Sequence, residues 1–312
     1  MNAPDESSEP LASAVRRLRE ARRRARTALV EPAPPRPRPL PPTGRAGRNL
    51  PAAIGVGLGL LTVVALSLFV RREAFVVLVV LAVCGALWEL AAAVGQRHIR
   101  IPVLPLWVGA VGILVSAWVA GPEAMLMAFT LTAGGVFVWR VLDGGGMDAV
   151  RDASAGIFAA AYVPYLAGFA VLLLREPDGP WLVVAFLLVT IANDTGGYIA
   201  GVLFGKTPMA PSISPKKSWE GMAGSWLLST AVAVVMVTPV LGGPWWGGLV
   251  LGTVAVAAAT TGDLAESLLK RDLGLKDMGS LLPGHGGIMD RLDSLLVCAP
   301  VSYLVLRAVL GG

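Results

Sequence analysis

Apolar residues in this chain come in long unbroken blocks rather than in an alternating or amphipathic pattern. Nine blocks are long enough to matter, at residues 52–70, 74–94, 103–121, 123–141, 153–174, 181–204, 221–240, 245–263 and 287–310. A helix rises about 1.5 Å per residue, so crossing the hydrocarbon core takes about 20 consecutive apolar residues. Each block therefore predicts one spanning helix. Open sheet edges are not tolerated in lipid, and the blocks lack the alternation of a barrel strand. The expectation is an all-α, polytopic integral membrane protein with about nine transmembrane helices.

Composition agrees with the pattern, and charge orients it. The 312 residues are 55% hydrophobic and 15% charged, a balance outside the range of water-soluble domains. With the N-terminus on the cytoplasmic side, 22 of the 26 Lys and Arg residues fall on cytoplasmic segments, as the positive-inside rule requires. Residues 1–50 hold eleven arginines against five acids, whereas the remainder carries fifteen basic and sixteen acidic groups. The basic excess thus belongs to a Pro- and Arg-rich cytoplasmic tail that reads as disordered, and the main body lacks the basic face that nucleic acid requires. Cys84 and Cys298 both lie inside apolar blocks, which leaves neither a disulfide framework nor zinc-ligand spacing. Three regions follow: the tail at 1–50, N-terminal spans at 51–180, and a C-terminal region at 181–312 in which the polar chemistry concentrates.

That chemistry lies in three stretches. Asn193 and Asp194 sit inside the sixth block, Asp194 about 15 Å from its end near Phe204; a carboxylate at such depth faces a wet cavity or a cation far more often than lipid. The segment PSISPKKSWEG, Pro211 to Gly221, presents Lys216 and Lys217 beside Ser212 and Ser214. The densest segment runs from Glu266 to Asp293, with Asp263 just ahead of it. Asp263, Glu266 and Lys270 fall on one helix face, and Asp290 and Asp293 share a face of the next helix. Between them Gly284, Gly286 and Gly287 flank His285, where backbone amides can approach an anion closely. Clustered acids beside clustered bases suit magnesium-assisted phosphoryl or nucleotidyl transfer, the acids holding a hard cation and the bases neutralising phosphate oxygens.

These residues resemble the signature of the phosphatidate cytidylyltransferases (CDP-diacylglycerol synthases). Ser267, Lys270-Arg271, Lys276-Asp277, Gly279, Leu282-Pro283, His285-Gly286-Gly287, Asp290-Arg291 and Asp293 match that signature, spanning 267–293. ISPKKSWEG from Ile213 and NDTGGYIAG from Asn193 resemble two further stretches of the family, with Ser218 standing where Thr is usual. The resemblance covers residues 181–310; the earlier spans agree in number and hydrophobicity. It implies conversion of CTP and phosphatidate to CDP-diacylglycerol and pyrophosphate with Mg²⁺, alone or with a second cation, at a site that faces the cytosol from the cell membrane. By the same resemblance Asp194 and Asp263 would bind metal, with Asp290 or Asp293 completing the set. Ser214, Lys216, Lys217, Lys270, Arg271, Lys276, Gly286 and Gly287 would bind phosphates. Lys270, Arg271, Asp290 and Asp293 would act at the reacting centre, where His285 would donate to phosphate rather than serve as a base. The implied partners are CTP, phosphatidate and the bilayer, with a homodimer allowed. Two other activities fit part of the pattern: a CTP-dependent lipid-alcohol kinase, which would transfer the γ-phosphate, and a secondary transporter, which would show the paired discontinuous helices absent from this sequence.

Overall fold

The computed structural model describes residues 50–143, 146–279, 281 and 286–311. The tail at 1–49, Gly144 and Gly145, and the signature residues Leu282, Pro283 and His285 lie outside the described residues.

Each apolar block forms a helix: α1 (Leu50–Phe69), α2 (Arg72–Gly95), α3 (Val103–Val119), α4 (Pro122–Asp143), α5 (Met147–Arg175), α6 (Gly179–Phe204), α7 (Trp219–Val240), α8 (Trp245–Leu273) and α9 (Met289–Leu310). Among the described residues seven of these, α2 and α4 to α9, are long and apolar enough to cross a membrane. Helix α3 is apolar but spans 17 residues. The architecture is therefore that of an all-α polytopic membrane protein. Large apolar side chains such as Val77, Val108, Leu131, Val202 and Leu227 point outward, as a lipid-facing surface requires.

Two helices change winding, α5 in its middle and α7 at its C-terminal end. Ala161–Tyr165 in α5 and Met236–Val240 in α7 are π turns, and each contains a proline, Pro164 and Pro239. Proline removes one backbone donor and crowds the preceding turn, so the wider winding accommodates it without a break.

The C-terminal four helices pack closely through glycine. A Cβ on Gly196 would stand 2.5 Å from the carbonyl oxygen of Gly224, and one on Gly224 would collide with the Ala200 side chain. Backbones thus meet directly between α6 and α7, the small-residue packing by which helices associate in lipid. Two hydroxyls bind across the same seam, Ser225 Oγ donating to Asn193 O (2.6 Å) and Ser229 Oγ to Val189 O (3.0 Å). At the next interfaces a Cβ on Gly252 would meet the Thr230 backbone, and one on Gly262 would meet the Asp293 carbonyl. Helices α6 to α9 are held at backbone distance, and the polar residues they carry are correspondingly fixed.

Two departures from the sequence pattern bear on the site. Helix α8 runs to Leu273, ten residues past the end of its apolar block, so Asp263, Glu266 and Lys270 ride on one uninterrupted helix. It stops at Gly274 in the left-handed conformation (φ +72°) that caps helices. Between α6 and α7 the chain makes a small antiparallel hairpin, β1 (Pro208–Ala210) and β2 (Ser214–Ser218), where hydrophobic patterning predicts only a loop.

Candidate active site

The hairpin exists because Glu220, in the first turn of α7, ties down its base. The carboxylate accepts hydrogen bonds from Lys206 N (3.2 Å), Thr207 N (3.2 Å) and Thr207 Oγ1 (2.9 Å). Ser218 closes the other side: its Oγ accepts from Gly221 N (3.1 Å) and caps α7. Serine caps at least as well as threonine, so the departure from the family's usual residue leaves this function intact.

With the hairpin folded over the helix ends, Lys216 and Lys217 reach a cavity of about 290 Å³ between α6, α7 and α8. Its wall also carries Asn193, Asp194 and Asp263. Lys217 Nζ lies 2.6 Å from Asp263 Oδ2, and Ser294 Oγ on α9 donates to Asp263 Oδ1. Asn193 Nδ2 donates to Asp194 Oδ1 (3.0 Å), which turns the amide oxygen the other way; that oxygen is buried and has no hydrogen-bond partner. Two carboxylates and two ammonium groups thus line a single space.

A second polar cluster stands behind the first. Lys270 Nζ bridges Glu266 Oε2 (2.5 Å) and Asp290 Oδ1 (3.1 Å). Glu266 is almost wholly buried, and Asp293 lies close enough to interact with both Glu266 and Asp263. Asp290 also accepts hydrogen bonds from Met278 N (3.0 Å) and Gly287 N (3.0 Å), so both of its oxygens are engaged in holding the loop that precedes α9. Two glycines of that loop are required by geometry. Gly286 has φ +85°, and a Cβ on Gly287 would stand 2.6 Å from Glu89 Oε2.

The structure therefore brings Lys216, Lys217, Asp194 and Asp263 together around the cavity, and groups Lys270, Asp290 and Asp293 beside it, joined through Glu266 and Ser294. Gly286 and Gly287 belong to the second group. Ser214, on β2, and the exposed Lys276 do not line the cavity; Arg271 Nε donates to Ile213 O (3.4 Å), linking the end of α8 to the hairpin. His285 lies outside the described residues. The four aspartates anticipated as metal ligands do not surround one point: among the described residues no three Asp, Glu, His or Cys side chains converge on a common ion position. Only Asp194 and Asp263 share the cavity wall.

Three contributors are not among the site residues read from the sequence, two within the C-terminal region and one far outside it. Glu220 builds the hairpin, Ser294 orients Asp263, and Glu89 on α2 reaches the loop before α9, accepting from Leu281 N (3.1 Å) and Met289 N (3.0 Å). Glu89 carries a signal in the sequence: it is the only acid between Glu73 and Glu123 and lies inside an apolar block, so the rule that singles out Asp194 extends to it.

Comparison with known proteins extends the match beyond the C-terminal region. The model of the cytidylyltransferase family matches residues 51–309, all nine helices but for the residues at either extremity. The chain belongs to that family. Among individual relatives, a phosphatidate cytidylyltransferase of Mycobacterium leprae is 42% identical over 279 residues, covering 85% of this chain and 89% of that protein. One from Mycobacterium tuberculosis is 40% identical over 281 residues, 86% of this chain and 85% of the relative. A more distant one, from Haemophilus influenzae, is 37% identical over 148 residues, 44% of this chain. Family membership spanning the first helices agrees with the structural finding that α2 supplies a buried carboxylate to the signature loop.

Proposed function

We propose that this protein is a phosphatidate cytidylyltransferase, joining CTP and phosphatidate to give CDP-diacylglycerol and pyrophosphate. The observation that carries the reading is the cavity where the Lys216-Lys217 pair meets Asp194 and Asp263, in a chain whose relatives over 85% of its length bear that name. A phosphate oxygen of phosphatidate attacks the α-phosphorus of CTP; a P–O bond forms there as the bond to the bridging oxygen breaks, and pyrophosphate leaves. A phosphate monoester has a second pKa of about 6, so the nucleophile is anionic at neutral pH and needs no strong base. Lys216 and Lys217 supply fixed positive charge to the phosphates, and Lys270 adds a third ammonium behind them. Such preorganised charge is commonly the largest source of rate in transfers of this kind.

The residues fit a magnesium ion. Asp194 and Asp263 offer hard anionic oxygens to one cavity, the donor type that such an ion takes beside water. When bound, Mg²⁺ would neutralise charge on the triphosphate. Asp290, with both oxygens engaged by loop amides and Lys270, acts in this account by holding the loop rather than the ion.

The substrates dictate the setting. Phosphatidate and its product stay in the bilayer, whereas CTP and pyrophosphate are water-soluble, so the cavity must serve both phases. We place it on the cytosolic side of the cell membrane, with nine spans, the 1–50 tail inside and the 181–312 region catalytic. Ties between junctions support alternate crossing. Arg72 donates to the carbonyls of Glu176 and Pro177, and Phe69 contacts Trp181, so the α1–α2 and α5–α6 turns share one end. Arg97 donates to the Asp272 carbonyl, which places the end of α2 beside the end of α8.

The test uses purified full-length protein with CTP, phosphatidate and magnesium. Liponucleotide and pyrophosphate should appear in equal amounts, and neither should form without the metal. Pyrophosphate without liponucleotide, or no reaction in folded protein, would overturn the assignment.

A further inference from the structure

Glu89 has no part in the chemistry described above, yet its placement is costly. It lies 3% exposed on the spanning helix α2, six residues before its C-terminal end, where an uncompensated buried carboxylate would be strongly unfavourable. Compensation comes from the signature loop: Leu281 and Met289 direct their amide hydrogens to its two oxygens, the second from 200 positions further along the chain. The loop is shaped around this carboxylate. A Cβ on Gly279 would overlap the Glu89 carboxyl group, and one on Gly287 would press on Oε2.

Asp290 grips the same loop from the other side, through the amides of Met278 and Gly287. Amides at 278, 281, 287 and 289 thus go in turn to two carboxylates, one on α2 and one on α9. Asp290 is also a partner of Lys270, which pairs with the buried Glu266. Moving the loop therefore moves Asp290, and with it the ammonium that Asp290 and Glu266 hold. Asp293 and Ser294, the latter bonded to Asp263, follow in the first turns of the helix that Glu89 anchors at Met289.

We propose that Glu89 is a positioning residue for cytidylyl transfer: by binding the amides of Leu281 and Met289 it fixes the signature loop and the start of α9, and so aligns Lys270 and the carboxylates around it. This rests on the cytidylyltransferase reading of the site. The proposal also gives the N-terminal helices a definite task, the supply of an anchor that the C-terminal helices cannot provide for themselves.

Glu89→Gln preserves size but presents an NH₂ group to one of two backbone donors, so it keeps one bond and loses the other. Misalignment of a catalytic constellation or loss of a supporting hydrogen bond costs about 10- to 100-fold in rate. The full-length variant should therefore show kcat lowered by that factor, a much smaller change in KM for CTP, and a thermal melt close to wild type. Hydrogen exchange should accelerate in the 278–289 segment and stay unchanged in α6 and α7. Glu89→Asp, which keeps the charge on a shorter arm, should recover part of the rate. Should Glu89→Gln fail to fold, Gly279→Ala decides, because its methyl displaces the same carboxylate from the loop side; it should give the same kcat loss and the same local exchange. Wild-type kcat or unaltered loop exchange in a folded variant would overturn the proposal, as would global unfolding of both variants, which would make Glu89 a plain core residue. Failure of wild-type protein to form liponucleotide would refute the assigned activity instead, and the exchange comparison would still report whether Glu89 holds the loop.

Discussion

The Lys217 ammonium stands 2.6 Å from Oδ2 of Asp263, and this pair joins the five-residue strand β2 to a point two-thirds of the way along the 29-residue helix α8. Both side chains remain about one-quarter exposed, at 27% and 24%, so the pair stays open to the cavity. A phosphate oxygen and a hard cation would satisfy the same two groups, the phosphate at Lys217 and the cation at Asp263. In the proposed reaction the pair would divide between nucleotide and metal.

Replacing Asp263 with Asn keeps its shape and removes the anion. Loss of one electrostatic stabiliser lowers the chemical step by about 100- to 1,000-fold, and loss of a hard ligand raises the magnesium requirement. Initial rates against magnesium concentration, for wild type and Asp263→Asn with equal thermal melts, check both effects. A wild-type rate with unchanged magnesium dependence would remove Asp263 from the site.

Packing between α6 and α7 sets the width of the cavity, and Gly224 is its tightest point. A methyl group there meets the Ala200 side chain and approaches the Gly196 carbonyl oxygen to 2.7 Å. Gly224→Ala should destabilise the protein by about 1–3 kcal/mol, the usual result of overfilling a packed interface. Gly134→Ala on α4, where nothing lies within 4 Å, provides the control and should leave the melting temperature in detergent unchanged.

Topology has a direct readout. In a background lacking Cys84 and Cys298, a cysteine at Ser212 in the hairpin should react with an impermeant maleimide only from the cytosolic side. One at Asp178, in the α5–α6 turn, should react only from the opposite side. Labelling of both from one side would contradict an alternate crossing of α6.

The helical architecture was legible because lipid imposes one demand, a long apolar block, which among the described residues seven of the helices meet. Helix ends were less so. Helix α8 continues past its apolar block because Asp263, Glu266 and Lys270 share a face that packs on α9, and the i, i+3, i+7 spacing records that continuation where hydropathy does not. The hairpin was illegible: Pro208, Pro211 and Pro215 interrupt any strand pattern, and what holds it is the side chain of Glu220, a residue beyond the strands. Among site residues, Lys216, Lys217, Asp194 and Asp263 stood out by charge in apolar or Pro-bounded surroundings. The arrangement of Asp290 did not, because whether a carboxylate faces an ion or a loop amide depends on the fold of residues 274–289, which has no periodicity to read. Glu89 stood out as an acid in an apolar block, but the loop it holds lies 192 to 200 positions away and could not be read as its partner.

In the proposed reaction the cytidylyl group, with its α-phosphorus, ends on the lipid. Full-length protein in detergent, given phosphatidate and magnesium, is assayed in parallel with CTP labelled at the α-phosphate and CTP labelled at the γ-phosphate. Label should enter the lipid fraction only from the α-position, with γ-label recovered entirely as pyrophosphate. Transfer of γ-label to lipid, with CDP as the other product, would contradict it and make the protein a CTP-dependent lipid kinase.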